Sequence, residues 1–356
     1  MTLDDLPTPC LVLDLGILKR NLAHMQAAIA RHPGVVLRPH MKTAKSLKVA
    51  ELAAPGFGPI TVSTLAEAQY FFDGGWRDQI YAVGITPQKL DQAAALGLKV
   101  ITDDADAAAA IAAHPGDIRA LVEIDVGEGR GGVPPDEALA LARILGPRLA
   151  GIFTHAGHSY AGRSEEDMRR IAEQERSGAA HAAQALRDAG IAVDIVSLGS
   201  SPTALYAQSL AGITEVRAGV YMFGDLFQAQ LGTHGLDDIA MTVLASVIGR
   251  KPARGAVLLD AGGLAMSKDR STAAAPVDYG FGLMLDLDGA PSFGQAILTR
   301  THQEHGEVSP APNLPIGAKV RVAPNHTCMT AAAHPCYHLV DGGREVIAVW
   351  DRVNGW

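Results

Sequence analysis

The chain has 356 residues, 48% of them hydrophobic and 19% charged, a balance that supports packed cores and excludes disordered or collagen-like classes. Thirty Lys+Arg against 38 Asp+Glu leave a net charge of −8 with no basic run, which argues against nucleic acid or an anionic membrane surface as partner. Three cysteines, Cys10, Cys328 and Cys336, are too few for a disulfide framework; with no signal-like or membrane-spanning stretch visible, a soluble, cytoplasmic protein is expected.

Up to about residue 236, short apolar runs alternate with helical stretches. The strand candidates are CLVLDL (10–15), VVLRPHMK (35–42), ITVST (60–64), IYAVG (80–84), KVITDD (99–104), ALVEID (120–125), GIFTHA (151–156), IVSLGS (195–200) and EVRAG (215–219). Most are continuous rather than alternating, as parallel strands buried on both faces require. Between them, residues 16–31, 66–74, 135–145 and 164–189 carry helical periodicity. Thr86-Pro87, Asp104 and Ser164 supply helix-start chemistry. Strand–helix alternation at this spacing implies right-handed βαβ units. Nine candidates are one more than a (β/α)8 barrel needs, which leaves CLVLDL to pair elsewhere; an open doubly wound sheet is the competing architecture.

After residue 236 the periodicity stops, and Gly, Pro and Asp punctuate MTVLASVIGR, GAVLLDAGG, AKVRVAPN, CYHLV and EVIAVW. This predicts an antiparallel β domain with a hairpin turn at Asp341–Gly343. The expected organisation is a TIM-type α/β barrel over residues 8–236 followed by a β domain over 237–356, with residues 1–15 contributing a strand to the latter.

Polar clusters close several strands, and in a barrel the C-terminal strand edge is the active-site face. Arg38-Pro39-His40-Met41-Lys42-Thr43 places Lys42 there, where partial desolvation lowers an amine's pKa and frees it as a nucleophile. A solvated basic cluster is the competing reading. The run 122–133 presents Arg130 on a glycine-rich turn, suited to an oxygen anion or to a plain surface loop. His155, His158 and Tyr160 follow the seventh strand candidate as acid–base or ring-contacting groups; a metal ranks lower here, because the two histidines lack the helical i, i+4 spacing. Gly199, Ser200, Ser201 and Thr203 form a small, hydroxyl-rich strand-to-helix junction suited to a phosphate, with helix capping by Ser201 as the alternative. Arg217 stands beside it, able to meet phosphate, a cofactor ring, or merely Glu215. In the β domain, His326 and Cys328 read as an i, i+2 pair on one strand face, and imidazole plus thiolate favours zinc. Cys336, His338 and His334 offer further donors, and a buried cysteine is as often simply core.

Together these segments resemble the D-serine dehydratase and D-threonine aldolase family of pyridoxal-phosphate enzymes, which share the alanine-racemase type of barrel. The resemblance runs from TPCLVLDL near residue 8 to DRVNGW at the end. Through RPHMKT it implies that Lys42 carries pyridoxal 5'-phosphate as a Schiff base, and through VEIDVGEGRGGV that Arg130 approaches the cofactor's phenolic oxygen. HAGHSY, SLGSSPT and EVRAGVYMFGD resemble the ring and phosphate segments. They imply ring contacts for His155 and Tyr160, both catalytic candidates with Lys42, and phosphate contacts for Gly199, Ser200, Ser201, Gly219 and Tyr221. PNHTC resembles the dehydratase branch, His-x-Cys at the metal, rather than the aldolase His-x-Asp.

The resemblance therefore implies a dehydratase that takes a small D-3-hydroxy amino acid, D-serine-like, to a keto acid and ammonia. Zinc is the favoured metal, with manganese or magnesium as alternatives. Aldol cleavage of D-threonine or D-3-hydroxyaspartate is the runner-up; a racemase or a non-catalytic cofactor-binding protein ranks lower. This type of fold further implies a head-to-tail homodimer.

Overall fold

The computed structural model describes residues 1–356 and divides into two compact units. One comprises His24–Gly219 with Gly355–Trp356, and the other Met1–Ala23 with Val220–Asn354. The first strand, β1 (Cys10–Asp14), belongs to the second unit; the next eight build the first.

These are β2 (Val36–Pro39), β3 (Ile60–Val62), β4 (Gln79–Gly84), β5 (Lys99–Thr102), β6 (Arg119–Ile124), β7 (Leu149–Thr154), β8 (Ile195–Leu198) and β9 (Glu215–Ala218). All pair in parallel in the order β2-β9-β8-β7-β6-β5-β4-β3. A single bridge between His40 and Thr61, with Met41 N donating to Thr61 O at 2.8 Å, brings β2 to β3 and nearly closes the barrel. The continuous apolar runs have the burial this demands: β7 is buried at every position.

The helices begin where capping chemistry predicts. Asp104 Oδ1 accepts from the amides of Asp106 and Ala107 at 2.9 Å, and Ser164 Oγ accepts from Asp167 N at 3.1 Å. The helix Glu165–Asp188 buries a stripe at Met168, Ile171, Ala172, Glu175, Ala179, Ala182, Ala183 and Leu186, the 3–4 spacing of a helix laid on a sheet. Glu175 is the one charged member of that stripe.

The second unit adds β10 (Met241–Lys251), β11 (Ala256–Leu259), β12 (Leu283–Leu285), β13 (Ile297–Thr301), β14 (Gly306–Ser309), β15 (Lys319–Ala323), β16 (Cys336–Val340) and β17 (Ala348–Asp351). The sheet runs β11-β14-β13-β12-β15-β10-β1-β16-β17, antiparallel except for the parallel pair β1–β16. The C-terminal half of the long β10 also pairs with β11 beyond a bulge at Val247/Gly249, so six of these strands curl into a closed ring. CLVLDL thus pairs outside the parallel barrel, between β10 and β16. The tight turn expected at Asp341–Gly343 is instead the start of a seven-residue connection, because pairing resumes only at Ala348.

Candidate active site and His-x-Cys segment

In the first unit the predicted residues converge on the C-terminal ends of the strands. Lys42 follows β2 in a turn and is exposed, which corrects the expected partial desolvation: Met41, Thr43 and Ala44 of the same turn are buried, and Lys42 alone points out of it. Its neighbours are nevertheless specific. His155, after β7, is forced down to a pKa of about 3 by burial and by the charges of Lys42, Arg130 and Arg217, against the opposing pull of its bond to Gly199. A carbonyl oxygen only accepts, so the 2.8 Å contact to Gly199 O places the His155 proton on Nδ1 and leaves Nε2 with a lone pair. His40, unassigned by sequence reasoning, is likewise held well below its usual range by burial, then by Lys42, Arg217 and His155. Two imidazoles within electrostatic reach of Lys42 are therefore neutral.

Arg217 is 3% exposed and fixed on three sides. Its guanidinium lies 3.5 Å over the Phe153 ring, donates to Ser197 Oγ at 2.6 Å, and donates to Thr154 O. The pairing with Glu215 that the sequence left open is not formed; Glu215 accepts instead from Arg38 Nε at 2.9 Å and Ser197 Oγ at 2.5 Å. Burial lowers the Arg217 pKa to about 10, with Glu215 and Glu175 working against the drop. A fixed cation, rather than a free carboxylate, thus stands on β9.

Arg130 is exposed and 3.4 Å from Glu128 on a loop that Asp125 organises: Asp125 Oδ1 accepts from Gly127, Glu128 and Gly129 N at 2.8, 2.9 and 3.2 Å. Tyr160 is half-buried in the turn Gly157–Ala161. Behind this edge, Glu123 is raised above the usual carboxylate range by burial and by Asp103.

The junction Gly199–Ser201 is buried. The helix it opens, Ser201–Tyr206, is only six residues long, and its N-cap is Ser200, whose Oγ accepts from Thr203 N at 3.2 Å, rather than Ser201. A macrodipole of that length adds little, so the anion-holding capacity rests on the turn and its hydroxyls. Ser159 Oγ lies 3.0 Å from Ser200 Oγ. Close backbone approaches shape the same edge. A Cβ on Gly199, at φ +147, would stand 1.9 Å from Arg217 O, and one on Gly219 would stand 2.8 Å from His40 O. Primary amine, neutral imidazoles, buried hydroxyls and glycine-lined turn together fit a phosphorylated aldehyde cofactor.

The other predicted residues belong to the second unit. Tyr221 is buried in the turn Val220–Met222, and burial pushes its phenol above the usual range. His326 and Cys328 do not lie on a strand. His326 is the extended N-cap residue of the short helix Thr327–Ala331, and Cys328 sits in its first turn. They still approach each other: burial lowers the His326 pKa, but bonds to Asp269 and Cys328 overcome it and raise it to about 11. Asp269 Oδ2 is 3.5 Å from His326 Nδ1, so Nε2 is the nitrogen that would ligate a metal. Sequence reasoning missed the supports. Buried Asn325 donates to Asp269 O at 3.0 Å and Gly280 O at 2.6 Å, and buried Asp225 accepts from Thr327 N at 3.1 Å. No group of three or more His, Cys, Asp and Glu gathers as a complete metal cage. An imidazole and a thiol braced by carboxylates fit a metal with open coordination positions.

The chain matches two family models in tandem, the alanine racemase N-terminal domain over residues 13–226 and the D-serine dehydratase domain over residues 240–340. It belongs to the fold type III pyridoxal-phosphate family of D-serine dehydratase-like enzymes. Members similar along their whole length include D-threo-3-hydroxyaspartate dehydratase of Delftia sp. (strain HT23), 43% identical over 100% of this chain and 99% of that protein. D-serine dehydratase of Dictyostelium discoideum is 29% identical over 99% and 98%, and D-threonine aldolase of an Arthrobacter species 33% identical over 94% and 88%. Among solved structures of this dehydratase–aldolase family, a cysteine-to-alanine variant of D-threo-3-hydroxyaspartate dehydratase in the metal-free form superposes with TM-score 0.94 at 42% identity over 100% of both chains. A variant with alanine for a histidine two positions earlier gives TM-score 0.94 at 42% identity, over 100% of this chain and 97% of that one. No helix of this family member is long and apolar enough to cross a membrane.

Proposed function

We propose that this protein is a carbon–oxygen lyase, a pyridoxal-phosphate- and metal-dependent dehydratase of a small D-3-hydroxy amino acid. The observation that carries the reading is the pairing of His326 with Cys328 on a braced segment, together with Lys42 set among neutral imidazoles. The His-x-Cys spacing also matches the two alanine variants made in D-threo-3-hydroxyaspartate dehydratase. The sequence alone favoured a D-serine-like substrate; the 43% relative adds D-threo-3-hydroxyaspartate as an equal candidate.

Lys42 would hold the cofactor covalently, Arg130 would face its phenolic oxygen, His155 and Tyr160 its ring, and Gly199, Ser200, Ser201, Gly219 and Tyr221 its phosphate. When bound, pyridoxal phosphate supplies the electron sink for charge developing at the substrate Cα. Lys42 Nζ, once released, takes the Cα proton, and the low pKa of His40 and His155 keeps competing protons off their rings. Arg217, held as a fixed cation by Ser197, Thr154 and Phe153, would disfavour protonation of a ring nitrogen set beside it. A metal held by His326 and Cys328 would supply Lewis-acid assistance to the departing 3-hydroxyl.

Aldol cleavage remains the second reading, supported by the D-threonine aldolase relative at 33% identity. Purified protein given pyridoxal phosphate and zinc is incubated separately with D-serine, D-threo-3-hydroxyaspartate and D-threonine. Ammonia with pyruvate or oxaloacetate is the expected product set; glycine with an aldehyde as the main products would replace dehydration by carbon–carbon cleavage.

A further inference from the structure

The buried stripe of the helix Glu165–Asp188 is apolar except at Glu175, which is 0% exposed. A methylene-rich residue would complete the stripe without the cost of desolvating a carboxylate. Instead, four donors converge on Glu175. Oε1 accepts from Thr154 Oγ1 at 3.0 Å, Ala156 N at 3.1 Å and Gly199 N at 2.9 Å, and Oε2 accepts from Thr203 Oγ1 at 2.7 Å. One side chain thus ties the end of β7, the end of β8 and the helix after β8.

The direction of these bonds matters as much as their number. Thr203 Oγ1 donates to Glu175 Oε2, so the Thr203 hydroxyl spends its one proton there. Thr203 Oγ1 then offers lone pairs to Ser200 N at 3.1 Å and Ser200 Oγ at 3.0 Å, and Ser200 Oγ meets Ser159 Oγ at 3.0 Å. Because Thr203 has no second proton, Ser200 Oγ donates to Thr203 Oγ1, and Ser159 is left as the hydroxyl with a proton to give, the polarity that an anion needs.

We propose that Glu175 is the positioning residue of the anion cradle: it fixes the Ala156 and Gly199 backbone and, through Thr203 and Ser200, orients the Ser159 hydroxyl as a donor toward a phosphate monoester. The proposal rests on the cofactor reading above. Apoprotein of the wild type, Glu175→Ala and Glu175→Gln is titrated with pyridoxal 5'-phosphate and with pyridoxal, which lacks the phosphate. The wild type is expected to prefer the phosphorylated form by about tenfold or more. Glu175→Ala should weaken pyridoxal phosphate about tenfold or more while pyridoxal stays within about twofold. Glu175→Gln should fall between, because its amide oxygen still accepts and its amide nitrogen can donate to Thr203. Equal weakening of both ligands, or no change in either, overturns the role of Glu175. A wild type without preference overturns the phosphate reading beneath it. If Glu175→Ala does not fold, Thr203→Val decides by the same ratio: loss for pyridoxal phosphate alone supports the proposal, and equal loss or none rejects it.

Discussion

His155 donates its Nδ1 proton to the carbonyl of Gly199 at 2.8 Å, so one hydrogen bond links the ends of β7 and β8 and sets the tautomer beside Lys42. The ring is neutral because a protonated one would be buried among Lys42, Arg130 and Arg217.

That neutrality has a stability consequence. His155 titrates near 3 when folded against 6.5 when exposed, so the unfolded chain binds a proton that the folded protein refuses. The contribution is present above pH 6.5 and is lost as pH falls from there toward 3. His40 acts in the same direction. Urea unfolding at pH 7 and pH 5 should show His155→Gln losing about 2 kcal/mol less than the wild type between the two. Equal losses would mean that folding does not lower the His155 pKa.

Lys42→Ala should abolish covalent attachment of the cofactor. Borohydride reduction of the wild type is expected to leave a pyridoxyl mass increment on the peptide containing Lys42 and nowhere else. Activity of the variant should fall at least about 10²-fold. A label on Lys45 or Lys48 would move the site.

Chelation should remove the dehydratase activity, and zinc should restore it. His326→Ala and Cys328→Ala should each lose bound metal in elemental analysis, with activity down about 10²-fold or more. Full activity of metal-free Cys328→Ala would remove the metal from the reaction.

Arg217→Ala should destabilise the barrel by about 3 kcal/mol in denaturant unfolding, since it uncovers Phe153 and leaves Ser197 Oγ and Thr154 O without their donor. Arg217→Lys should recover only part of that, because an ammonium cannot stack and fork together. A loss below 1 kcal/mol would show the network to be dispensable.

The head-to-tail homodimer is open to sedimentation, with twice the mass of one chain expected. A fully active monomer would reject it.

Much of this protein is decided locally. Continuous apolar runs, helix caps at Asp104 and Ser164, and the cluster around Lys42 are readable because strand burial, capping and turn chemistry depend on residues a few positions apart. The short strands β12, β13 and β14 escaped notice because three to five residues without alternation leave no period to detect. His326 was misread as a strand residue for the opposite reason: an extended φ, ψ at an N-cap looks like a strand over so short a span. Glu175 carried a faint local signal, a carboxylate in an apolar stripe, yet its meaning lies in donors 19 to 28 residues away. The same holds for Arg217 choosing Ser197 and Thr154 over Glu215. Sequence by itself determined the parallel strands and the helix starts of the first unit, because those follow from neighbouring side chains. Only the tertiary structure decided which buried charge meets which partner, because desolvation and hydrogen-bond direction are set by groups that folding alone brings together.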